Sequence, residues 1–299
     1  MKALFLYNSK ARKAAGAFVQ SSKILDALGI ELVKPRFTEV SDFAKAIDYH
    51  KDEVDAVIVA GGDGSVSAAA AAMVKLELPL GVLPLGTANN FARNLNIPID
   101  LQKACETIAG GNIATADVCY VNSIVFLNVV GLGLSTRVNK EISREIKKRF
   151  GTFGYLITAF KIALGFRPIR VRLLNEELKT TENIRTFQLT ICNGKFFGSG
   201  IAIDESASIY DGKIDLCSFE VADIWSGIKL LLRFRFKRLS INDPIRRVRA
   251  TSYRIESVKP QAVDVDGEIK TQTPLDIRLS PNSLKVFIPA PVPSEPKPQ

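Results

Sequence analysis

Histidine, tryptophan and cysteine are scarce in this sequence: its 299 residues include one His, one Trp and four Cys. The single histidine, His50, stands alone beside Lys51, a setting more typical of a surface residue than of a metal ligand or a catalytic base. The cysteines at positions 105, 119, 192 and 217 form no C-x-x-C pair. We therefore expect reduced, mostly buried thiols of a cytosolic protein rather than a disulfide framework.

Long apolar runs are also missing. The N-terminal apolar run ends at Asn8, which is too early for the core of a signal peptide. The later apolar stretches, 124–130 and 155–166, are too short or too interrupted to cross a bilayer. The sequence therefore predicts a cytoplasmic protein whose contact with any membrane is peripheral.

Acidic residues are outnumbered by basic ones, and the net charge is +9. This excess favours anionic partners, such as nucleotides, nucleic acid or an acidic membrane, without distinguishing them. Between Trp225 and Ala250 lie eight Lys and Arg residues, interleaved with Leu and Phe, against the single acid Asp243. Such a segment predicts either contact with an anionic membrane or an ordinary solvated face. No nucleic-acid-binding module is recognisable, so nucleic acid is not an expected partner.

The distribution of apolar runs predicts two domains. Up to about residue 118, short buried-strand patterns such as Asp55–Ala60 alternate with helical patterns, which is typical of a parallel sheet covered by helices. From 119 to 280 strand patterns dominate and favour an antiparallel sandwich or barrel. The predicted fold is thus an α/β N-terminal domain followed by a β-rich sandwich domain. The proline-rich segment 289–299 is expected to be a disordered tail.

The sharpest local motif is Gly61-Gly62-Asp63-Gly64-Ser65, between a strand pattern and an alanine-rich helix pattern. Glycines allow close approach of the backbone to a ligand, and the N-terminus of the helix offers N–H groups to a phosphate. Asp63 could hold Mg²⁺ that bridges phosphates. The alternative is a tight turn in which Ser65 caps the helix. The motif fits neither G-x-x-x-x-G-K-[ST] nor G-x-G-x-x-G, which argues against P-loop and Rossmann proteins.

A second turn of the same kind follows in the segment 81–93, GVLPLGTANNFAR. Ligands of open α/β sheets bind outside the carboxyl ends of the strands, so the two turns should converge there. Thr87, Asn89 and Arg93 would then face that sheet edge. A plain capped helix remains the alternative.

Taken together, these motifs resemble the catalytic domain of the diacylglycerol kinase family, which includes bacterial lipid kinases and sphingosine kinases. The resemblance rests on GGDGS and GTANNFARNL, on LFLYNSKARKAAG near the start, and on NVVGLGLSTRV, ICNGKFFGSG, IYDGKIDL and VDVDGE later. It implies a lipid kinase that uses ATP and Mg²⁺, with diacylglycerol or a related lipid as substrate. It also implies that the terminal strand Ser283–Ile288, within 283–290, crosses back to the first domain. A homodimer is left open.

The resemblance also assigns residues. It places the general base at Glu268 of Asp266-Gly267-Glu268, although Asp-Gly by itself is typical of a hairpin turn. Asp63 and Arg93 complete the expected catalytic set. The residues expected to bind nucleotide are Asn8, Thr38, Gly61, Gly62, Asp63, Gly64, Ser65, Val66, Ser67 and Thr87. The residues expected to bind a structural Mg²⁺ are Ser208, Asp211 and Lys213, the first and last through carbonyl oxygens.

One departure from the family pattern keeps other functions open. The family usually has Asp where this chain has Asn90, and an amide does not supply that negative charge. A nucleotide- or lipid-binding protein without catalysis is therefore one alternative. An NAD kinase is another, because it shares GGDG, but GTANNFAR argues against it.

Overall fold

A computed structural model of the chain describes residues 1–8, 14–35, 39–74, 76–141, 161–162, 164–175, 177, 179–197, 201–202, 206–221, 223–235 and 243–290. The chain divides into two compact units, one containing Met1–Ala116 and the chain from Asn282 onward, the other containing Asp117–Phe197 and Ile201–Pro281. The proline-rich segment beyond residue 290 and Thr38 lie outside the described residues.

The first unit contains a parallel sheet. Its strands are β1 (Lys2–Tyr7), β2 (Glu31–Val33), β3 (Ala56–Gly61), β4 (Leu80–Pro84) and the end of β18 (Leu275–Phe287). The order is β2-β1-β3-β4-β18, and every pairing is parallel. The central strand β3 is buried from Ala56 to Ala60. A continuous β-branched run suits such a strand because helices cover both faces of a parallel sheet.

Helices connect these strands. They are α1 (Ala14–Ala27), a 3₁₀ turn (Val40–Asp42), α2 (Phe43–His50), α3 (Asp63–Met73), α4 (Asn90–Asn94) and α5 (Leu101–Ala109). Asp100 caps α5, and its side chain accepts a hydrogen bond from the Lys103 N–H at 3.0 Å. Alternating strands and helices with parallel pairing confirm the α/β fold predicted for this part of the chain.

The second unit is built from antiparallel strands. They are β5 (Ile113–Val121, which begins in the first unit), β6 (Ile124–Phe126), β7 (Val129–Gly133), β8 (Ile169–Asn175), β9 (Thr180–Thr186), β10 (Gln188–Cys192), β11 (Phe196–Phe197), β12 (Ile201–Ala202), β13 (Ile214–Phe219), β14 (Ile245–Ala250), β15 (Ser252–Ser257), β16 (Ala262–Val265), β17 (Glu268–Gln272) and the start of β18. Among the described residues, the helices α6 (Leu134–Glu141) and α7 (Ile224–Arg235) accompany them.

Two sheets of this unit share one core. One has the order β14-β13-β10-β7-β16-β17, and the other continues from β18 through β15 and β8 to β9. Leu189 and Leu216 from the first sheet and Val171 and Ile255 from the second belong to the same buried cluster. Side chains from two facing sheets packed together define a sandwich, which confirms the predicted fold of this part of the chain.

Burial of cysteine and tyrosine makes stability sensitive to alkaline pH. Burial raises the pKa of the Cys105 thiol to about 12 and that of Cys119 and Cys192 well above the usual 9.0. It also raises the pKa of Tyr253, whose hydroxyl lies 2.8 Å from the Val248 carbonyl.

The unfolded chain ionises these groups near their ordinary pKa, whereas the folded chain keeps them protonated. Their contribution to stability is therefore complete below about pH 8 and falls as the pH rises through about 9 to 10. We expect the urea midpoint to fall across this range. A midpoint that is constant up to about pH 10 would contradict the burial of these groups.

None of the helices in the described ranges is both long and apolar enough to cross a membrane. The helix predicted over Ile224–Leu239 is observed as α7 up to Arg235, and residues 236–242 lie outside the described residues. Of the helical region predicted from Leu134 to Phe166, α6 covers the start, and 142–160 is likewise outside them.

Candidate active site

The first glycine turn connects β3 to α3. Gly62 is the N-cap of α3, so Ser65 is the third residue of the helix, and its interpretation as a cap is wrong. A Cβ on Gly61 would come within 2.6 Å of the Ser65 Cβ, and one on Gly62 within 3.0 Å of the Gly86 Cα. Close packing therefore requires glycine at both positions. Because α3 begins directly after β3, the first N–H groups of the helix lie at the carboxyl end of the sheet.

The second turn connects β4 to α4 and is held by Asn89. This residue adopts a left-handed conformation, with φ of 50°. Its Oδ1 accepts a hydrogen bond from the Gly86 N–H at 2.8 Å, and its Nδ2 donates to the Gly86 carbonyl at 2.9 Å. Asparagine tolerates this backbone conformation better than most residues, and its amide satisfies both polar groups of Gly86.

The two turns are in direct contact. A Cβ on Gly86 would lie 2.4 Å from the Gly62 Cα, so the two backbones touch. Asp63 Oδ1 accepts a hydrogen bond from the Phe91 N–H in the first turn of α4, at 3.1 Å. The Leu85 N–H donates to the Gly61 carbonyl at 3.0 Å. These contacts place the N-termini of α3 and α4 side by side, as the sequence predicts.

The other residues expected to bind nucleotide, and the expected catalytic residue Arg93, differ in accessibility. Asn8 directly follows β1, which pairs with β3, so it lies at the same sheet edge and is half-buried. Thr87 is exposed. Val66 and Ser67 are buried within α3. Arg93 is exposed, and its Nε donates to the Ala88 carbonyl at 3.0 Å. Asn8, Thr87 and the first glycine turn therefore lie at one edge of the sheet, whereas the side chains of Val66 and Ser67 are buried inside α3.

The Asp266-Gly267 pair forms a two-residue hairpin turn in the second unit, between Val265 and Glu268. Both residues have positive φ, 50° and 92°, as a type I′ turn requires. The Asp266 carboxylate accepts three backbone hydrogen bonds, from the N–H groups of residues 127, 128 and 129, at 2.9, 3.0 and 2.9 Å. The Gly267 N–H donates to Asp264 Oδ1 at 2.8 Å. The turn therefore holds the start of β7.

Replacing Asp266 by alanine should lower the free energy of unfolding by about 3 kcal/mol, because it removes an acceptor of three backbone hydrogen bonds. Alanine is also strained at a φ of 50°. Asparagine keeps the conformation and one carbonyl oxygen, so Asp266→Asn should cost roughly half as much. Urea unfolding measures both. Equal losses of unfolding free energy in the two variants would contradict the role of the Asp266 carboxylate as the acceptor of these hydrogen bonds.

Glu268 is the first residue of β17. Its side chain is 65% exposed, and Lys270 Nζ lies 3.4 Å from its Oε2. A carboxylate in this setting is accessible to a substrate hydroxyl. The hairpin turn and the catalytic assignment are compatible, since the turn fixes the backbone from which Glu268 extends.

The Asp211 loop lies between a short turn and β13. The Asp211 carboxylate accepts hydrogen bonds from the Ser208 N–H at 3.2 Å and the Lys213 N–H at 3.0 Å. It also forms an ion pair with Arg249, whose Nε lies 2.9 Å from the buried Asp215 Oδ1. Burial raises the pKa of Tyr210 in the same loop.

The predicted Mg²⁺ site at Ser208, Asp211 and Lys213 has the right chemistry, because a carboxylate and backbone carbonyls are the hard oxygen donors that Mg²⁺ prefers. The described residues contain no group of three or more His, Cys, Asp or Glu side chains that could hold a metal. Arg249 already supplies positive charge to Asp211. Metal binding here stays a prediction, with Arg249 as a competing cation.

Arg249→Gln separates these roles. It should lower the unfolding free energy by about 3 kcal/mol, because Asp215 is nearly buried and loses its guanidinium partner. If the loop binds Mg²⁺, adding MgCl₂ should raise the Tm of the variant more than that of the parent. Arg247→Gln, on the exposed side of β14, is the matched control. Equal Mg²⁺ effects in all three proteins would argue against a metal at this loop.

Sequence reasoning missed three polar residues that organise the second unit. Asn193 Nδ2 donates to the Asp117 carbonyl at 2.9 Å, and Asp117 Oδ2 accepts from the Gly212 N–H at 2.8 Å. Arg249 is the third. The signal available for Asn193 was an Asn-Gly pair at the end of an apolar strand, within ICNGKFFGSG.

The sequence matches two known protein-family models. The model described as "Diacylglycerol kinase catalytic domain" matches residues 2–121, and the model described as "YegS C-terminal NAD kinase beta sandwich-like domain" matches residues 128–288. A "Putative lipid kinase" of Staphylococcus aureus strain MRSA252 is 30% identical over 250 residues, which cover 81% of this chain and 80% of that protein. An uncharacterised protein of Synechocystis is 29% identical over 241 residues, 78% of this chain, and the match spans only about half, 54%, of that relative.

Solved structures agree in fold. A crystal structure of a "putative diacylglycerol kinase" from Bacillus anthracis superposes with a TM-score of 0.81 at 25% identity, covering 96% of this chain and 95% of that one. The matching domains together span both units. The chain therefore belongs to the diacylglycerol kinase catalytic domain family.

Proposed function

We propose that this protein is an ATP-dependent lipid kinase, which transfers the γ-phosphoryl group to a lipid hydroxyl, with diacylglycerol as the first acceptor to test. The observation that carries the proposal is the contact between the Gly62 and Gly86 turns. The N-terminus of α3, packed against the Gly86 turn at the carboxyl edge of a parallel sheet, suits the phosphates of a nucleotide. Membership of the family supports ATP as the phosphate donor.

In the proposed reaction the acceptor oxygen forms a bond to the γ-phosphorus while the bond to the β–γ bridging oxygen breaks, which releases ADP. Glu268 accepts the proton of the attacking hydroxyl. The N–H groups of the first turn of α3 hold phosphate oxygens. Bound Mg²⁺ would neutralise phosphate charge, and Asp63 is the residue of the first turn that would hold it.

The test is transfer of labelled γ-phosphate from ATP to a panel of acceptors in mixed micelles with Mg²⁺. The panel contains diacylglycerol, sphingosine, ceramide, phosphatidylglycerol and, for the NAD kinase alternative, NAD. Label in a lipid, lost in Glu268→Gln, supports the proposal. Label in NAD alone, or no transfer by a protein that binds ATP, contradicts it.

A second candidate, a binding protein without catalysis, is favoured by Asn90 at the start of α4. Asn90→Asp separates the two. Strong gain of transfer with the Asp variant supports a kinase whose turnover the amide weakens. Absence of transfer in both forms, with ATP bound, favours the binding protein.

A further inference from the structure

The outer face of β8, β9 and β15 carries a cluster of arginines. Buried residues such as Val171 and Ile184 alternate with exposed ones, so Arg170, Arg172 and Arg185 all project from the solvent side. They line an open groove of about 600 Å³ together with Asn183, Glu256, Ser257 and Val258. We call these three arginines and Asn183 the arginine face.

Two of these arginines are directly opposite each other. Arg170 pairs with Arg185 in the antiparallel register of β8 and β9. Like charges at directly opposite positions destabilise a sheet, so this pair is unfavourable unless an anion lies against it. Over the described part of the chain no ion pair of Arg170 or Arg185 is found, and Arg172 reaches Glu256 only at 3.9 Å.

Several basic residues between Trp225 and Ala250 have acidic partners. Arg233 is paired with Asp243 at 2.7 Å, Arg246 with Glu220 at 2.6 Å, and Arg249 with Asp211 and Asp215. Acidic partners therefore compensate much of the charge of the described part of this segment. Arg170 and Arg185, by contrast, have no such partner among the described residues.

We propose that the arginine face is a docking surface for an anionic lipid bilayer, with Arg170, Arg172 and Arg185 contacting headgroup phosphates. Residues two apart on a strand are about 7 Å apart and neighbouring strands about 5 Å apart, so the three guanidinium groups spread over an area larger than one phosphate. Val258 at the rim is 95% exposed and suits insertion among headgroups. The choice of occupant rests on the proposed function, because a lipid acceptor resides in a membrane.

The experiment measures sedimentation of the full chain with phosphatidylcholine vesicles that contain rising fractions of phosphatidylglycerol. The test variant is Arg170→Gln, Arg172→Gln, Arg185→Gln. Its affinity for anionic vesicles should fall about 100-fold, and the parent's binding should weaken with added NaCl. The matched control removes three exposed positive charges from the first unit, by Lys23→Gln, Lys45→Gln and Lys103→Gln, and should keep most of the affinity.

The variant should fold, because it relieves the Arg170–Arg185 repulsion, and its Tm should equal or exceed that of the parent. Equal losses in the test and control variants would overturn the proposal, since they would indicate a response to net charge alone. Saturable binding of inorganic phosphate that is lost in the test variant, by a protein that does not bind anionic vesicles, would also overturn it, in favour of a small-anion site. So would binding of RNA rather than vesicles through the same arginines.

Failure of docking and failure of the kinase function are distinguishable. Phosphoryl transfer to a short-chain lipid in neutral detergent does not need a charged surface, so the triple Arg→Gln variant should retain it. A protein that transfers phosphate but does not bind anionic vesicles would refute the docking proposal and leave the kinase proposal intact. One that binds vesicles through the arginine face but transfers no phosphate would refute the kinase alone.

Discussion

Glu268→Gln is expected to lower phosphoryl transfer by about 10²–10⁴-fold, the usual contribution of a general base. An amide cannot accept the proton of the attacking hydroxyl, although its size and hydrogen-bonding geometry are close to those of the acid. ATP affinity should stay within about twofold, because the proposed phosphate ligands are backbone groups of α3. Single-turnover transfer and equilibrium ATP binding measure the two quantities separately.

Because Glu268 is exposed, a loss of turnover in Glu268→Gln can be separated from a loss of stability. Its side chain is 65% exposed, so the substitution should change the free energy of unfolding by no more than about 0.5 kcal/mol. Glu77, an exposed glutamate of the first unit, provides the control: Glu77→Gln also removes one negative charge. If both variants kept normal turnover, Glu268 would not be the base.

Gly86→Ala is expected to lower the free energy of unfolding by about 3 kcal/mol and to abolish detectable ATP binding. The added methyl group would lie 2.4 Å from the Gly62 Cα and 2.7 Å from Asn89 Oδ1. A backbone atom cannot rotate away as the end of a side chain can, so the two turns must separate. Separation breaks the alignment of the N-termini of α3 and α4 on which the proposed phosphate site depends.

Gly64→Ala is the matched control for stability. It lies in α3, nothing is within 4 Å of its added Cβ, and its φ is not positive. This substitution should leave stability unchanged or raise it by roughly 0.5–1 kcal/mol, the usual gain of Ala over Gly in a helix. Similar urea midpoints for the two variants would disprove the close contact between the turns.

The order of elements around the glycine turns could be predicted because its signals are local. The run Ala56–Ala60 is apolar and includes three β-branched residues, and the glycines that follow it end the strand and allow α3 to begin. The same logic applies to Leu80–Leu83 and the turn before α4. A short apolar run that ends at glycines and is followed by a helical pattern is best explained as a strand, a turn and a helix.

β9 and β17 carry no apolar strand pattern because their sequences are polar. β9 has the sequence TTENIRT and β17 the sequence EIKTQ, and both lie at sheet edges with much of their surface in solvent. Their pairing partners specify them, since β8 and β16 present backbone groups that an adjacent strand satisfies. A pattern of apolar residues carries no information about such a strand.

The partners of polar side chains were also beyond the reach of sequence. Asp266 accepts hydrogen bonds from residues up to 139 positions away. The Asp-Gly pair predicts the turn, but the hydrogen bonds that the Asp266 carboxylate accepts at the start of β7 depend on tertiary structure. The same holds for Arg249, which looked like one member of a basic segment and instead balances Asp211 and Asp215.

The last strand of the first unit's sheet has a consequence for biosynthesis. Val286 of β18 pairs with Leu80 of β4, the Ile288 N–H donates to the Asn112 carbonyl, and Val286 and Phe287 are buried. During translation the ribosome therefore makes β4 about two hundred residues before the strand that covers its edge. Until then a nascent chain displays an open edge of an apolar strand, which is a template for mispairing with other chains. A chaperone that protects this edge would improve the yield of full-length protein most when elongation is slow.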